Sequence, residues 1–415
     1  MDMKTQIIIS SPGRADFLNT HQDYKGLPVV PAAINLRLYI SASLSNSNMF
    51  TVRSFDLERH GEPSVDSFNI GINEMRGGKF FGDYLRGIVN VLVKRRMADR
   101  LQGMDVTINS EIPIGSGLAS SAALEVAFAK LLNKAFNLGL SRKDIAEVAF
   151  VAENMEVGVP CGRLDQYGVA FGGIIKLNCR PPYEVTPLPF RDLTFVIADS
   201  GIRHSTGEIH PKRQMEINLG LETLMKSADL PKELKAKLGY RFDQPRWEDI
   251  SENEIRDYLS IMSRNSRKRI LFTLRTHKLT EIALKILNFE AVSREELISN
   301  LGESRWMRIQ KTPKGEFNYK ILGEIMNAQH ELLRDLYDVS LPEIDSICEA
   351  ALDAGAYGAK LSGAGMGGSI IALVKNEKVG KRVAKACLSA DARGSWVSEI
   401  GEGVRMEGNI KDIEH

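Results

Sequence analysis

Apolar and polar positions recur with two different periods along this chain, and the switches between them mark its elements. Gln6 to Ser10 (QIIIS) is a β-branched run that predicts a strand. Strand character returns from Pro28 and runs to Ser43, after a polar, turn-rich stretch. Lys79 to Arg100, containing FFGDYLRGIVNVLVKRR, sets apolar residues three and four apart and ends on basic residues, which predicts a helix. Alternation over Met104 to Asn109 (MDVTIN) predicts another strand, because side chains two apart share a face. Ser121 to Asn137 and Ser141 to Glu156 return to the helical period, and Leu193 to Asp199 (LTFVIAD) reads as a strand. From Gly220 to about Lys320 the chain is charged, poor in glycine and helical in rhythm. Asn327 to Val374 reads helix, helix, strand, glycine turn, strand. A helix over Glu377 to Ala390 and a final strand near Trp396 to Ile400 follow.

Length and charge narrow the class. A chain of 415 residues predicts two or three domains with sizeable cores. Its 54 Lys and Arg against 53 Asp and Glu give a net charge of +1, which favours neither nucleic acid nor a membrane surface as a partner. The basic run Ser263 to Arg269 (SRNSRKR) reads as a solvated helix face, since no aromatic residues flank it. Cys161, Cys179, Cys348 and Cys387 show neither disulfide nor zinc spacing and fit a reducing compartment. No signal-peptide core opens the chain and no apolar run is long enough to span a bilayer, so a soluble, cytoplasmic protein is expected. Composition says nothing of oligomeric state.

Candidate chemistry gathers in a few stretches. Glu111 to Ala127 (EIPIGSGLASSAALEVA) joins a predicted strand to a predicted helix through Pro113, Gly115, Ser116, Gly117, Leu118, Ala119, Ser120 and Ser121. Glycines let backbone N–H groups turn toward one point, and the helix adds the positive end of its dipole. Such a turn is either an anion cradle for a di- or triphosphate or a plain strand-to-helix turn with a serine N-cap. The spacing is not the Walker pattern, because no Lys-Ser or Lys-Thr pair follows the glycines. In Ala152 to Leu177, Glu153 and Asp165 stand on either side of a turn containing Gly158 and Pro160. They are two surface charges, or one holds magnesium while the other accepts a proton from a hydroxyl. Arg14, Asp16, His21 and Asp23 crowd a polar segment between strands, either a solvated turn or a site.

The stretch PxGxGLxSSAA resembles the central motif of the GHMP kinases, a family that includes galactokinase, homoserine kinase, mevalonate kinase and phosphomevalonate kinase. Ser11 to Ser43 is similar to the galactokinase sugar signature PGRVNLIGEHTDYNGG and the strand FVLPMAI after it, with Pro12, Gly13, Arg14, His21, Asp23, Tyr24, Gly26 and Pro31 matching. The resemblance implies that Arg14 neutralises the transferring phosphoryl group and that Asp23 holds sugar hydroxyls, with His21 beside it. Asp16, Asn19, Thr20 and Gln22 depart from the pattern, and Thr20 replaces a Glu that holds the outermost sugar hydroxyl. Pro160 to Gln166 (PCGRLDQ) is close to PCGIMDQ, which implies Asp165 as catalytic base and Gly162 as a sugar contact, with Arg163 where an apolar residue is usual. Glu153 lies at the offset of the family's magnesium-holding Glu, and Ser121 shares that ion. Phe81 and Tyr84 stand where WxNY packs against adenine. In SGIRHSTGEIHPKRQ, Arg203, His204, Ser205, Pro211 and Arg213 match, while His210 takes the place of a sugar-contacting tyrosine or is an exposed loop histidine. SGAGMGG, with Gly363 and Gly365, is a plain hairpin or matches the third GHMP motif, a glycine loop near the phosphates.

These matches run in family order along nearly the whole chain. They imply a two-domain α+β GHMP kinase fold, with residues 1–193 as the N-terminal domain, residues 194–415 as a ferredoxin-like C-terminal domain, and the active site between them. The implied activity is a sugar 1-kinase using ATP and Mg2+ on galactose or a close relative. A kinase for a uronate, amino sugar or pentose, or another GHMP enzyme, is an alternative, though the HxDY signature favours the sugar branch. A non-catalytic sugar sensor is the other, but such sensors lose residues from the serine-alanine run, and Ser120, Ser121, Ala122 and Ala123 are all present.

Overall fold

Alternation in MDVTIN becomes burial: along the strand Met104–Ser110, Met104, Val106 and Ile108 are buried while Asp105 is exposed. The computed structural model describes residues 6–77, 80–203 and 206–410, with only the backbone for 206–208 and 409–410. The chain packs as two compact units, one of residues to Arg14, Ala32–Gly173 and from Ile400, the other of Ala15–Pro31 and Ile174–Glu399. It therefore passes between them four times, where the sequence reading placed a single crossing after residue 193.

The first unit holds a six-stranded sheet. Its strands are β1 (Gln6–Leu18), β2 (Val30–Leu44), β3 (Met49–Ser54), β4 (Val65–Asn69), β5 (Met104–Ser110) and Arg405–Ile410. The order is Arg405–Ile410, β1, β2, β5, β3, β4, with β3 parallel to β5 and antiparallel to β4. Two expectations change here. Arg14 and Asp16 lie on β1 itself, not in a loop, and the chain does not end on the strand near Trp396. Arg405–Ile410 follows it and pairs antiparallel with β1, Gln6 opposite Ile410. Helices Phe81–Lys94, Ser120–Ala135, Arg142–Val151 and Leu164–Phe171 pack on one another. The first stops at Lys94, short of the expected Arg100, because Arg96 turns left-handed (φ 62). Every residue of the second from Ala122 to Ala129 is buried, so this stretch is covered on all sides, and trimming a fully buried Phe such as Phe128 to Ala costs about 3–5 kcal/mol.

In the second unit, β6 (Ile175–Leu177) and β7 (Val185–Pro187) form a small hairpin, and β8 (Thr194–Asp199), β9 (Gly358–Ser362), β10 (Ser369–Val374) and β11 (Gly394–Glu399) form an antiparallel sheet in the order β11-β8-β10-β9. Helices Pro342–Asp353 and Glu377–Ser389 cover it through Ile344, Ile347, Val383 and Cys387, against Val196, Leu361 and Ile370. Helix Phe317–Asp335 approaches β9 so closely that a Cβ on Gly323 would sit 2.4 Å from the Tyr357 carbonyl. A second core gathers Ile217, Leu221, Trp247 and Ile270 from the helical stretch after β8.

Two charged segments find partners in that unit. The basic run is not only a solvated face: Arg269 is buried, donating to Glu216 Oε2 at 2.6 Å and Asp338 Oδ2 at 2.8 Å. The stretch from Leu287 to Lys320, with helices Arg294–Leu301 and Glu303–Ile309, sends Arg308 and Lys320 to the buried Glu324, at 2.9 and 3.0 Å. Among the described residues no helix is long and apolar enough to cross a membrane.

Candidate active site

The glycine turn of the first unit feeds directly into a 16-residue helix, Ser120–Ala135. Ala119 makes the junction in a left-handed conformation (φ 61, ψ 44), and no side chain among the described residues caps the helix start, so the serine cap does not form. Gly115 (φ 67) and Gly117 (φ 75) are left-handed too, a geometry a side chain opposes. Ser116 Oγ donates to the Pro113 carbonyl at 2.7 Å and folds the turn on itself. β1 comes close beside it: a Cβ on Gly13 would lie 3.0 Å from the Leu118 carbonyl, which also accepts the Arg14 N–H at 3.0 Å. Backbone N–H groups and the helix dipole at this turn favour an anion.

Arg14 links the turn to an acid. Its Nε and Nη2 both donate to Asp165 Oδ1, at 2.8 and 2.6 Å, and Nη1 donates to the Gly117 carbonyl at 2.8 Å. Behind them lies a buried polar chain. Ser121 Oγ donates to Glu153 Oε1 at 3.0 Å, and Gln166 Nε2 donates to Glu153 Oε2 at 2.5 Å and to Glu125 Oε2 at 3.5 Å. Burial, then the charge of Asp165, pushes the Glu153 carboxyl up to about 7, and burial, then Glu153, pushes Glu125 well above the usual carboxylate range. Arg163, at the start of helix Leu164–Phe171, pairs with Glu147 at 2.8 Å and lies over the Phe150 ring at 3.9 Å. That contact accounts for a cation at a position the family pattern fills with an apolar residue.

The second unit gathers the sugar-signature residues into a wall of rings. His21, left-handed at φ 64, sits 5.1 Å from His210 and 5.0 Å from Tyr337, centre to centre, and its Nε2 pairs with the Ala364 carbonyl at 3.0 Å. Tyr24 and Tyr337 share a short hydroxyl–hydroxyl hydrogen bond. Lys25 is fully buried beneath them, 2.9 Å from Thr273 Oγ1 and 4.8 Å from the Tyr337 ring centre. Burial, then the nearby charges of His210 and Lys25, holds the His21 imidazole well below its usual range. His210 belongs to helix Thr206–Lys226 and the ring wall, not to an exposed loop. Thr20 is buried and its Oγ1 accepts from Lys360 Nζ at 2.9 Å, while the same ammonium donates to the Asp16 carbonyl at 2.7 Å. Asp23 opens a single 3-10 turn, Asp23–Lys25. Gly363 (φ 91) and Gly365 (φ 90) flank Ala364, so the last glycine loop and His21 are tied together.

Other expected residues fall less centrally. Phe81 is buried with its ring edge-on to Phe80, and Gly162 is half-buried just before Arg163. Burial raises the Tyr84 phenol, with Glu153 and Glu125 adding to the effect, so Tyr84 stands near the acids. Arg203 pairs with Asp199 at 2.6 Å, and His204 and Ser205 lie outside the described residues. Sequence reasoning passed over Glu125, Gln166, Lys25 and Lys360. Glu125 and Lys360 carry a usable signal: Glu125 is the one charge in the apolar run Ala122 to Ala129, and Lys360 the one charge in the strand Gly358–Ser362, positions charges occupy chiefly when paired or functional.

Residues 83–173 match the GHMP kinases N terminal domain, 315–392 the GHMP kinases C terminal domain, and 2–44 the galactokinase galactose-binding signature. A galactokinase of Thermococcus kodakarensis is 30% identical over 385 residues, 91% of this chain and 93% of that one. A galactokinase of Haemophilus influenzae is 29% identical, over 90% and 86% of the two chains. The crystal structure of Lactococcus lactis galactokinase complexed with galactose superposes with a TM-score of 0.74 at 26% identity, covering 96% of this chain and 95% of that one. The chain belongs to the galactokinase family of GHMP kinases.

Proposed function

We propose that this protein is an ATP-dependent sugar 1-kinase that transfers the γ-phosphoryl group to the anomeric hydroxyl of galactose or a close derivative. The observation that carries the reading is the Arg14 fork. One guanidinium joins Asp165 Oδ1 to the carbonyl of Gly117 in the glycine turn. Both hydrogen bonds to Asp165 meet Oδ1, so Oδ2 is the atom that accepts the hydroxyl proton. As it does, the anomeric oxygen bonds to the γ-phosphorus and the bridging oxygen leaves with ADP. Arg14 offsets the charge that develops on the transferring group, and the uncapped helix start receives the phosphates.

The residues present fit magnesium. Ser121 Oγ and Glu153 Oε1 are adjacent hard oxygens, and Glu153 is buried beside further carboxyl groups, an arrangement a cation relieves. Magnesium bound there supplies charge neutralisation of phosphate oxygens. Four free thiols agree with a cytoplasmic location.

On the sugar side, Asp23 retains the demand for ring hydroxyls, while Thr20 is neutral and its oxygen already accepts from Lys360. A hydroxyl hydrogen and a nearby ammonium suit an acceptor oxygen on the sixth carbon better than a carboxylate would. Selectivity at that carbon is therefore redirected or relaxed toward derivatives such as uronates. A coupled ATP-consumption assay across hexoses, uronates, amino sugars and pentoses tests this, with phosphorus NMR to locate the phosphate. Sugar-dependent ADP release and a phosphate on the anomeric carbon are expected. Nucleotide or sugar binding with no turnover on any of them would favour a sensor instead.

A further inference from the structure

Asp165 sits in the first turn of a short helix, Leu164–Phe171, that follows an irregular stretch containing the left-handed Gly158 (φ 81). A base so placed needs something to fix the rotation of its helix. Arg163 immediately precedes that helix. Its Nε donates to Glu147 Oε1 at 2.8 Å and its Nη2 to Oε2 at 3.3 Å, with the guanidinium 3.9 Å above Phe150. Glu147 and Phe150 are three residues apart on helix Arg142–Val151 and so share one face. Glu147 Oε1 also accepts the Tyr167 hydroxyl at 2.5 Å, and the Tyr167 N–H donates to the Arg163 carbonyl at 3.1 Å. Arg163, Glu147 and Tyr167 therefore close a ring of hydrogen bonds around the one helical turn that carries Asp165. Ahead of it, Asn154 Nδ2 holds the Cys161 carbonyl at 3.1 Å.

We propose that Arg163 is a positioning residue for the base. By clamping this turn onto Glu147 and Phe150 it holds Asp165 so that Oδ1 meets Arg14 and Oδ2 stays turned to the substrate hydroxyl. The proposal rests on the reading of Asp165 as general base. Planarity matters: Nε and Nη2 grip both oxygens of Glu147 while the face stacks on Phe150, a combination an ammonium cannot reproduce.

The test is steady-state kinetics of wild type, Arg163→Met and Arg163→Lys, with Arg163→Met repeated in an Asp165→Asn background. Misplacing a catalytic group by about 1 Å costs up to ~10²-fold, so Arg163→Met is expected to lower kcat roughly 10- to 100-fold. KM for ATP and sugar should move by less than about twofold, and Arg163→Lys should fall between. With Asp165→Asn there is no base to place, so adding Arg163→Met should cost less than about twofold more. Wild-type kcat in Arg163→Met, or an equal loss in both backgrounds, would overturn the proposal. Should Arg163→Met melt below the assay temperature, Glu147→Gln carries the test, with the same non-additivity and a smaller loss expected. Normal turnover in Asp165→Asn alone would remove the base reading, and this proposal with it.

Discussion

The acid cluster of the first unit and the ring wall of the second solve opposite problems. Around Asp165, burial keeps protons on: Glu125 and Glu153 both hold theirs more tightly than free carboxylates. Around His21, burial keeps a proton off. The acid cluster uses oxygen donors suited to cations and phosphate. The ring wall presents Tyr24, Tyr337, His21 and His210, surfaces suited to a neutral ring with hydroxyls. The first matches the family pattern at nearly every position that carries chemistry, whereas the second departs at Thr20 and His210. On the proposed function, reaction type would be set in one region and substrate choice in the other, and substitutions should separate them.

The largest effect belongs to Asp165. Asp165→Asn keeps size but loses the proton acceptor, and turnover should fall ~10²–10⁴-fold with nucleotide affinity nearly kept. Isothermal titration with a non-hydrolysable ATP analogue, beside kcat, reads both, and normal turnover would sink the base assignment. Next comes Glu153→Ala, which should raise the magnesium concentration for half-maximal turnover by at least about tenfold while metal-free ATP binding changes little. An unchanged magnesium dependence would make Glu153 a purely structural acid.

Smaller effects lie in stability. Glu125 in the folded state keeps a proton that the unfolded chain releases above about pH 4.3, so its contribution falls as pH rises through that value toward the raised folded one. Glu125→Gln should therefore gain stability over wild type as pH increases from 5 to 8, by at most about 1.4 kcal/mol per pH unit. His21 has the opposite sign: the unfolded chain takes up a proton below about pH 6.5 that the folded state refuses, so stability is lost as pH falls through 6.5. His21→Gln should flatten that acid limb alone. Denaturant titrations across pH 5–8 measure both, and a pH-independent difference in either variant would show that its group does not titrate as burial demands.

Legibility in the sequence divides along the same line. The glycine turn, Ser121, Glu153 and Asp165 were readable because each sits in a short segment where turn residues, helix starts and acids are neighbours in sequence. The ring wall was readable only in part: resemblance put His21, Tyr24 and His210 on the sugar side, but Lys25, Phe272 and Tyr337 join them only by tertiary packing. Arg14 was found by resemblance although its place on β1 was not: the turn-like composition of SPGRADFLNT hid a strand that continues to Leu18. Arg405–Ile410 was missed because a short, charged, glycine-containing segment shows little strand propensity until β1 supplies its hydrogen bonds. Arg163 had no sequence rationale, since its partners Glu147 and Phe150 are more than ten residues away on another helix.

The division of labour itself is tested most directly at Thr20. kcat/KM for galactose, galacturonate, N-acetylgalactosamine and arabinose would be measured in wild type and in Thr20→Val, which removes the hydroxyl that Lys360 engages. Galactose is expected not to be strictly preferred over the other three. The relative values among them should shift roughly tenfold in the variant, the scale of one hydrogen bond to a charged group, with KM for ATP unchanged. Strict preference for galactose over all three, left intact by Thr20→Val, would contradict this division.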